Sequence, residues 1–464
     1  MTTTPPDAAQ RRATATLAVA ALAALATYLD STILFVAFPA INATFDQSSP
    51  STLSWVINAY TITFAALVVP AGKIADRLGH RRMFLTGSGL FTTAAVVCGL
   101  APNVGLLVAA RVVQGVGAAI LVPASLSIVI AAFPREMLPR VVAIWGAIGA
   151  FSAALGPTLG ALIVDGIGWR WVFHLNIPIG VITLVAGSRL LTERRDANVA
   201  LPTPVGVVLL AAAAATTLYA VVGSDTYGWT SSRTAVVLLG GLVLLGVFVA
   251  HQRRTASPTL DLALFRLGNF RWGNVAMLSY SAGFSSMFFG LILFLVNVWD
   301  WSIIRAGFAI APGPFVAALL APRCGALAGR IGQRPLVITG GLLFVAAGIY
   351  RLAFLTSDID YLVDFGIPLA IVAVSVPLVF PQVTSVAAQA LPPNRVGVGG
   401  GTTQAIRQFG GSFGVAVTVA LIGSATGATD ALAGFDRVWW FTIATGLLAA
   451  GAALPMRTGR RAAA

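Results

Sequence analysis

Charged residues are scarce in this chain of 464 residues: Asp, Glu, Lys and Arg together make up 10% of it, and Lys73 is the single lysine. A soluble globular domain carries about 25% charged residues, so this scarcity argues against a soluble protein. The chain is instead rich in apolar residues: 57% of its residues are hydrophobic, and its mean hydropathy is +0.88. The composition predicts a polytopic membrane protein.

Cysteine and histidine are also rare, with two and three copies. Cys98 and Cys324 lie in separate apolar runs near opposite faces of the predicted membrane, which argues against a disulfide. His80, His174 and His251 have no partner ligands nearby in the sequence, which argues against a metal site. No nucleophile motif, metal cluster or phosphate-binding loop is found, so we expect no cofactor and no enzymatic activity. A membrane-embedded enzyme or a receptor without transport is kept as a remote alternative.

Apolar runs long enough to cross a bilayer recur along the whole chain. A helix of about 20 apolar residues spans the hydrocarbon core, and continuous rather than alternating runs favour helices over a β-barrel. The sixth run is the weakest, because its start carries Trp169, Arg170 and Trp171, a composition typical of the membrane interface. We count fourteen runs, near 13–40, 53–72, 83–101, 104–128, 140–164, 172–190, 204–223, 234–251, 272–297, 303–325, 335–355, 364–389, 400–424 and 437–456.

The formal net charge of +13 would suggest a nucleic-acid partner in a soluble protein. With the N-terminus inside, however, most of the 29 basic residues fall at cytoplasmic helix ends, whereas outer loops such as "TSDIDYLVD" are acidic. Lys and Arg accumulate on the cytoplasmic side of a membrane protein, so topology explains the charge and no nucleic acid is expected. We predict a multi-pass protein of the bacterial inner (cytoplasmic) membrane with both termini in the cytoplasm.

Two loops repeat each other 253 residues apart: "GKIADRLGHRR" starts at Gly72 and "GALAGRIGQRP" starts at Gly325. Each follows a pair of predicted spans, so the repeat unit is six helices. Two parallel six-helix halves around a site near the bilayer midplane are typical of a rocking secondary transporter of small molecules. The predicted division, for a monomer, is a cytoplasmic tail at 1–12, an N-terminal half at 13–195, two inserted helices at 196–255, a C-terminal half at 256–456 and a tail at 457–464.

One carboxylate lies well inside a predicted span. Asp30 sits in "ALATYLDSTILFVAFPAI", roughly 15 Å below the outer end of the first span, and Arg111 lies roughly 10 Å below that of the fourth span. An unpaired guanidinium at that depth is costly, so we predict that the two side chains pair. A static ion pair that only orients helices is the alternative to a proton-coupling pair.

Six motifs resemble those of the major facilitator superfamily, and within it the fourteen-spanner drug:proton antiporter family. The resemblance covers nearly the whole chain. The motifs are "LDSTILFVAFP" from Leu29, "GKIADRLGHRR" from Gly72, "RVVQGVGAAI" from Arg111, "GAFSAALGPTLG" from Gly149, "WRWVFHLNIPIG" from Trp169 and "QAIRQFGGSFGVA" from Gln404. The resemblance implies an all-α major facilitator fold with two pseudo-symmetric six-helix halves plus two inserted central helices. It also implies export of drugs or antibiotics in exchange for protons.

The resemblance implies roles for three sets of residues. Asp30 would take a proton from outside, and its deprotonation in contact with Arg111 would accompany substrate loading from inside. A conformational latch would comprise Gly72, Asp76, Arg77, Gly79, Arg81 and Arg82, whereas Gly329 replaces the acid in the second copy of the loop. The antiporter motif would comprise Gly149, Gly156, Pro157 and Gly160, small residues that let helices approach closely and a proline that frees a backbone acceptor.

Aromatic and amide side chains in several spans are candidates for an amphipathic substrate cavity. Trp55, Asn58 and Tyr60 have the alternative of an interfacial belt, and Arg407 has the alternative of reaching the cytoplasmic interface. The candidates are Phe35, Trp55, Asn58, Tyr60, Gln114, Tyr280, Phe284, Gln404 and Arg407. The substrate is expected to be an amphipathic drug or antibiotic, and a dedicated exporter of one endogenous antibiotic, siderophore or amino acid is the alternative.

Overall fold

The computed structural model describes residues 6–134, 137–195, 201–392, 395–422 and 428–457, and within these the secondary structure is helical. Six spans form the N-terminal half. They are α1 (Pro6–Thr44), α2 (Pro50–Leu78), α3 (His80–Leu100), α4 (Val104–Ala132), α5 (Leu138–Ile167) and a broken span of α6 (Arg170–His174) and α7 (Asn176–Leu190). The break falls in the weakest predicted run, where the tryptophan-rich start forms the short α6.

Two inserted helices and six further spans complete the bundle. α8 (Pro204–Tyr227) packs against α9 (Ser232–Arg254). The C-terminal half contains α10 (Gly268–Asn297), a broken span of α11 (Ile303–Ile310) and α12 (Pro312–Ile331), α13 (Gln333–Phe354), α14 (Ile367–Gln389), α15 (Val396–Ile422) and α16 (Ala428–Ala453). Within the described ranges, twelve helical segments are long and apolar enough to cross a membrane, and the long helices α5 and α16 give the fourteen spans predicted.

The two halves repeat in register. α1 ends at Thr44 and α10 ends at Asn297, 253 residues later. The turns between spans two and three of each half use Gly79 and Gly332, also 253 residues apart, and both take positive φ values, +114° and +85°. A residue with a Cβ adopts such a backbone conformation only under strain, so the repeated loop needs glycine at this position.

The start of α1 and the described residues after α16 lie at one face of the bundle. The Arg12 guanidinium, near the start of α1, donates to the Leu190 carbonyl at the end of α7. The amide group of Asn269, at the start of α10, exchanges two 2.8 Å hydrogen bonds with the backbone of Arg457. We call this side the terminal face and the other side the opposite face.

The halves meet where α2 packs against α15, α1 against α10, and α5 against both α11 and α12. The contact of α1 with α10 lies toward the opposite face, where the Phe38 ring packs edge-on against Phe289 with centroids 5.0 Å apart. Toward the same face, Gly307 of α11 lies against the Pro157 carbonyl and the Ala161 side chain of α5. α8 contacts both α2 and α15, so the inserted pair covers the seam between the halves.

Among the twelve spans with a described apolar window, the inserted helix α9 is the most exposed. Only 17% of its apolar window is buried inside the protein, and large side chains such as Val236, Leu239 and Val243 are exposed. An apolar surface of this extent is not stable in water. It fits the hydrocarbon of a lipid bilayer, which confirms the assignment as a membrane protein.

Candidate functional site

Asp30 and Arg111 meet inside the N-terminal half. Asp30 on α1 is 2% exposed and Arg111 on α4 is 1% exposed. Arg111 Nη1 donates to Asp30 Oδ2 at 2.5 Å. A charge pair this deep requires further hydrogen bonds to offset its loss of hydration.

Two further hydrogen bonds hold Arg111 within the same half. Its Nε donates to the Val56 carbonyl at 2.9 Å, and its Nη1 also donates to Gln114 Oε1 at 2.8 Å. The guanidinium lies over the Tyr60 ring, 4.2 Å from its centre, and the Tyr60 hydroxyl donates to the Thr27 carbonyl at 3.3 Å. Attraction of the cation to the ring adds to the stabilisation of the buried charge.

Two amide side chains complete the environment of Asp30. Gln114 Nε2 and Asn176 Nδ2 donate to Asp30 Oδ1 at 2.9 Å and 3.0 Å. With Arg111, three side chains therefore donate hydrogen bonds to this carboxylate. Among the described atoms, Asn176 Oδ1 is buried without a hydrogen-bond partner, so an unused acceptor lies beside the acid.

Sequence analysis did not place these two amides beside Asp30. It assigned Gln114 to the substrate cavity and quoted the stretch containing Asn176 only as a family motif, and in the structure both side chains donate to Asp30. The helical break at Leu175 makes Asn176 the first residue of α7. A polar residue between two apolar stretches was the only available signal, and it does not indicate which neighbour the side chain reaches.

The aromatic and amide candidates of α2 point in three directions. Asn58 is fully buried at the seam, where Ser412 Oγ of α15 donates to its Oδ1 at 2.9 Å. Trp55 faces the inserted pair and packs against Tyr219 of α8, with ring centroids 6.4 Å apart. Tyr60 faces Arg111. The structure therefore does not bring these three side chains into one cavity.

An aromatic cluster joins the two halves, and we call it the phenylalanine bridge, comprising Phe35, Phe38, Phe284, Phe288, Phe289 and Phe380. Phe35 lies 5.9 Å from Phe288 across the seam, and Phe284 lies 5.5 Å from Phe380 within the C-terminal half. Sequence analysis named Phe35 and Phe284 and missed the other four, because phenylalanine in an apolar run is not distinctive.

Three further candidates lie in the C-terminal half beside the bridge. Arg407 of α15 is half-buried, and its guanidinium lies over Phe380, 4.6 Å from the ring centre. Gln404, one turn earlier, has a buried Nε2 without a partner among the described atoms. Tyr280 is fully buried, and its hydroxyl is 2.7 Å from Ser375 Oγ of α14, so its polar end points into its own half.

A fourteen-span bundle with repeated halves and a buried acid in its first span can be compared with known families. The sequence profile of the Major Facilitator Superfamily matches residues 20–415. The chain belongs to the major facilitator superfamily. It is accordingly a membrane transporter rather than an enzyme.

Relatives of this major facilitator protein include named export proteins. The multidrug resistance protein Stp of Mycobacterium tuberculosis is 34% identical over 89% of this chain and 76% of its own length. The tetracenomycin C resistance and export protein of Streptomyces glaucescens is 32% identical over 91% of this chain and 78% of its own. The cephamycin export protein CmcT of Amycolatopsis lactamdurans is 33% identical over 90% and 87%.

Solved structures share the fold at low identity. A D-xylose–proton symporter has a TM-score of 0.66 and 14% identity over 95% of this chain and 97% of its own. A human organic anion transporter has a TM-score of 0.64 and 18% identity over 96% and 100%. At this level of identity, the likeness shows the major facilitator fold alone.

The superfamily loop at Gly72 is tied to the end of its own half. Arg81 N and Arg82 N at the start of α3 both donate to the Glu193 carboxylate at 3.1 Å. A carboxylate at a helix N-terminus satisfies free N–H groups and the helix dipole. His80 Nε2 lies 3.3 Å from Asp76 Oδ1. Sequence analysis missed Glu193, which lies 111 residues after Arg82.

The remaining latch candidates lie around the same turn. Gly79 adopts the positive φ of the turn itself, Gly72 faces Pro123 of α4, and Arg77 occupies the last turn of α2. Lys73, beside Gly72, donates to the Pro258 carbonyl at 2.7 Å and thereby joins the loop to the segment before α10.

The antiporter motif packs α5 against both α1 and α11. A Cβ at Gly156 would overlap Thr32, two residues after Asp30, and Gly160 faces Ile33. The Pro157 carbonyl contacts Gly307 across the seam. Gly149 lies in the part of α5 whose side chains are outside the described residues. The motif thus borders the helix that carries the acid.

Proposed function

We propose that this transporter exports amphipathic drugs or antibiotics from bacteria in exchange for protons, by alternating access across the cytoplasmic membrane. The observation that carries the proposal is the buried cluster of Asp30, Arg111, Gln114 and Asn176. A carboxylate that is fully enclosed and held by three donors binds or releases a proton only when its surroundings change. Such a group is suited to coupling a proton to a conformational change.

We infer that the geometry corresponds to the deprotonated state. With Arg111 in contact, Asp30 is neutralised as an ion pair. A proton on Asp30 removes the charge, and Arg111 then loses its ionic partner, which favours a rearrangement of α1 against α4. Loss of the proton to the cytoplasm restores the pair. One buried acid gives a simple stoichiometry of about one proton per cycle.

We assign the terminal face to the cytoplasm and the opposite face to the outside. The phenylalanine bridge and the contact of Gly307 with α5 lie toward the opposite face, so they would close the outer end in this state. The paired form of Asp30 then belongs to a cytoplasm-facing protein that is ready to load substrate. A rocking motion of the two halves would then pull apart the two sides of the phenylalanine bridge and expose Asp30 to protons from the outside.

Substrate contact is proposed for the side chains at the seam. Phe35, Phe284 and Phe380 offer apolar and ring surfaces, and Asn58 with Gln404 offers amides. A surface of flexible aromatic contacts with few hydrogen bonds suits amphipathic compounds rather than sugars. The names of Stp, the tetracenomycin exporter and the cephamycin exporter support a drug or antibiotic as the class of cargo.

The tail and half boundaries remain part of this proposal. We place the N-terminal half at 13–195, the inserted helices at 196–255 and the C-terminal half at 256–456, in a protein that works as a monomer. The second tail, 457–464, lies outside the described residues apart from Arg457.

The test is transport of ethidium in everted membrane vesicles that carry Asp30→Asn. The variant keeps a similar volume and the amide can accept from Arg111, so insertion should persist, whereas transport driven by a pH gradient should be abolished. Counterflow of labelled substrate against unlabelled substrate needs no proton and should continue. Asp46→Asn, the same change at an exposed site, is the matched control.

Two results would contradict the proposal. Full gradient-driven transport by Asp30→Asn would show that the acid is not the coupling group. Wild-type transport that is unchanged by a protonophore would show that no proton gradient is used.

A dedicated exporter of one endogenous antibiotic is the second candidate. It is favoured by the relatives named for tetracenomycin C and cephamycin. A panel of cationic dyes, β-lactams and aromatic polyketides separates the two, since a multidrug exporter transports several classes and a dedicated exporter transports one.

A further inference from the structure

A cavity of about 280 Å³ opens on the terminal face of the N-terminal half, away from Asp30. It lies between the start of α1, the start of α3, the end of α4 and the segment after α7. Its polar lining consists of Arg12, Thr16, His80, Thr192 and Arg194. No feature of the proposed transport cycle uses this cavity.

The lining carries positive charge without a carboxylate of its own. Of the two nearby acids, Asp76 lies 3.3 Å from His80 Nε2, and Glu193 accepts from the backbone N–H groups of Arg81 and Arg82. His80 Nδ1 is buried and has no hydrogen-bond partner within the described part of the chain. The cavity wall therefore carries the two guanidinium groups of Arg12 and Arg194 and no carboxylate.

The arginine donors are only partly used. Arg12 Nε and Nη2 both reach the same Leu190 carbonyl, each at a long 3.4 Å. A guanidinium has five N–H donors, so Arg12 retains donors for a second acceptor. Arginine binds phosphate through paired, charge-assisted hydrogen bonds. Arg12 and Arg194 line the same cavity, so together they can donate hydrogen bonds to an anion with several oxygen atoms.

The opposite wall is apolar, formed by Ile128, Ala131 and Leu190. The cavity lies where the apolar run of α1 begins, directly after Arg12, and where that of α7 ends. This is the depth of lipid headgroups. At about 30 Å³ for each water molecule, a volume of about 280 Å³ leaves room for ligand atoms beyond a phosphate group.

We propose that this cavity binds a phosphate-bearing anion, with Arg12 and Arg194 on the phosphate oxygens. The apolar wall favours an anionic phospholipid headgroup over a free phosphate ester as the source. Basic pockets between helix ends on the cytoplasmic side suit such headgroups. The inference depends on neither the coupling role of Asp30 nor the identity of the exported substrate.

The experiment is native mass spectrometry of the purified full-length protein, exchanged into micelles with equal amounts of phosphatidylglycerol and phosphatidylcholine of the same chain length. The wild type should retain one phosphatidylglycerol in preference to phosphatidylcholine. Arg12→Gln with Arg194→Gln should weaken that retention on the order of tenfold or more, because each basic residue near the surface contributes about fivefold.

Matched variants separate the cavity from the general charge of the face. Arg11→Gln with Arg189→Gln removes two exposed arginines from the same face, neither of which lines the cavity, and should leave retention unchanged. Ala131→Phe fills the cavity and keeps both arginines, and it should reduce retention if the site is the cavity itself. Because Ala131→Phe keeps both arginines, it tests the cavity independently if the double arginine variant fails to fold.

The source of the phosphate is decided by a second arm. Inorganic phosphate and glycerol 3-phosphate are added to protein in phosphatidylcholine alone, and thermal unfolding is followed by tryptophan fluorescence. Weak stabilisation by these ions, together with selective retention of phosphatidylglycerol, supports a lipid headgroup. Strong stabilisation that is lost in Arg12→Gln with Arg194→Gln supports a free phosphate ester. Equal loss of lipid in both arginine pairs, or no preference for phosphatidylglycerol, would overturn the proposal.

Discussion

Each half of the transporter buries an arginine, and the two arginines differ in their hydrogen-bond partners. Arg111 in the N-terminal half is bonded to Asp30, Gln114 and the Val56 carbonyl. Arg351 in the C-terminal half is also 1% exposed, yet within the described residues none of its three guanidinium nitrogens has a hydrogen-bond partner. The Trp439 ring lies 5.5 Å from it.

The difference shows that the repeat preserves the positions of the helix ends but not the ionisable side chains between them. The position 253 residues after Asp30 is Gly283, a glycine enclosed by Phe344 and Thr445. The C-terminal half fills its interior with rings and hydroxyls, such as the Tyr280–Ser375 pair. We infer that proton chemistry is concentrated in the N-terminal half, whereas the C-terminal half supplies the aromatic surface at the seam.

The largest expected effect comes from removing each arginine in turn. Arg111→Met leaves Asp30 as an unpaired buried charge, which should destabilise the protein by about 3–5 kcal/mol and abolish gradient-driven transport. Arg351→Met removes a cation that has no described hydrogen-bond partner, so stability should be unchanged or higher. Thermal unfolding of both variants in detergent measures the contrast.

A double variant sharpens this result. Asp30→Asn should restore most of the stability lost in Arg111→Met, because it removes the stranded charge. Equal destabilisation by Arg351→Met and Arg111→Met would mean that the two arginines contribute equally to stability, which would contradict this comparison.

The second effect concerns helix approach beside the acid. Gly156→Val should overlap Thr32 and push α5 from α1, with a loss of about 1–3 kcal/mol of stability and of most transport. Gly329→Val, in the second copy of the repeated loop, is the matched change, since nothing lies within 4 Å of the position of its Cβ. Transport by Gly329→Val should fall less than twofold; similar damage from both variants would count against close packing as the role of the motif.

The third effect separates the two amides that hold Asp30. Asn176→Leu and Gln114→Leu each remove one donor from the carboxylate, a charge-assisted bond of about 1.5–3 kcal/mol. Gradient-driven efflux should therefore fall about tenfold or more, whereas counterflow should fall much less. Gln404→Leu, a change of the same kind near the seam, should affect efflux and counterflow equally. The idea fails if Asn176→Leu also affects them equally.

The smallest effect is expected at the seam itself. Ser412→Ala removes one hydrogen bond to Asn58, worth about 1 kcal/mol, and should change the transport rate a few-fold by shifting the balance between the two orientations. Ser286→Ala removes a 2.6 Å contact with Thr418 inside the C-terminal half and should lower stability without shifting that balance. Accessibility of a cysteine introduced at Phe38 to a water-soluble thiol reagent reports the orientation, in a background without the native cysteines.

Much of the fold could be predicted from local pattern. The fourteen spans follow from apolar length, and the repeat follows from two loops whose glycines both turn with positive φ. The breaks within two spans could not be predicted, because the tryptophan-rich start of one and Pro312 in the other are compatible with either one helix or two. The pairing of Asp30 with Arg111 was predicted from depth, and the structure brings the two into contact.

Side-chain direction set the limit for the remaining site residues. Trp55, Asn58 and Tyr60 lie within six residues of one another on α2, yet they face the inserted helices, α15 and Arg111 respectively. Gln114 and Glu193 acquire their roles from partners more than 80 residues away in the chain. Contacts between residues so far apart in the chain depend on how helices cross, and local sequence patterns do not predict helix crossing.

The sequence by itself determined that this protein crosses a membrane many times, that its halves are repeated and that one acid is buried among apolar residues, because hydropathy and periodicity are local properties. Only the tertiary structure decided that Asn176 and Gln114 hold that acid, that the phenylalanine bridge spans the seam and that Arg351 lacks the partners given to Arg111. A buried polar group takes its energy from whichever neighbours surround it, and those neighbours are set by the packing of distant helices.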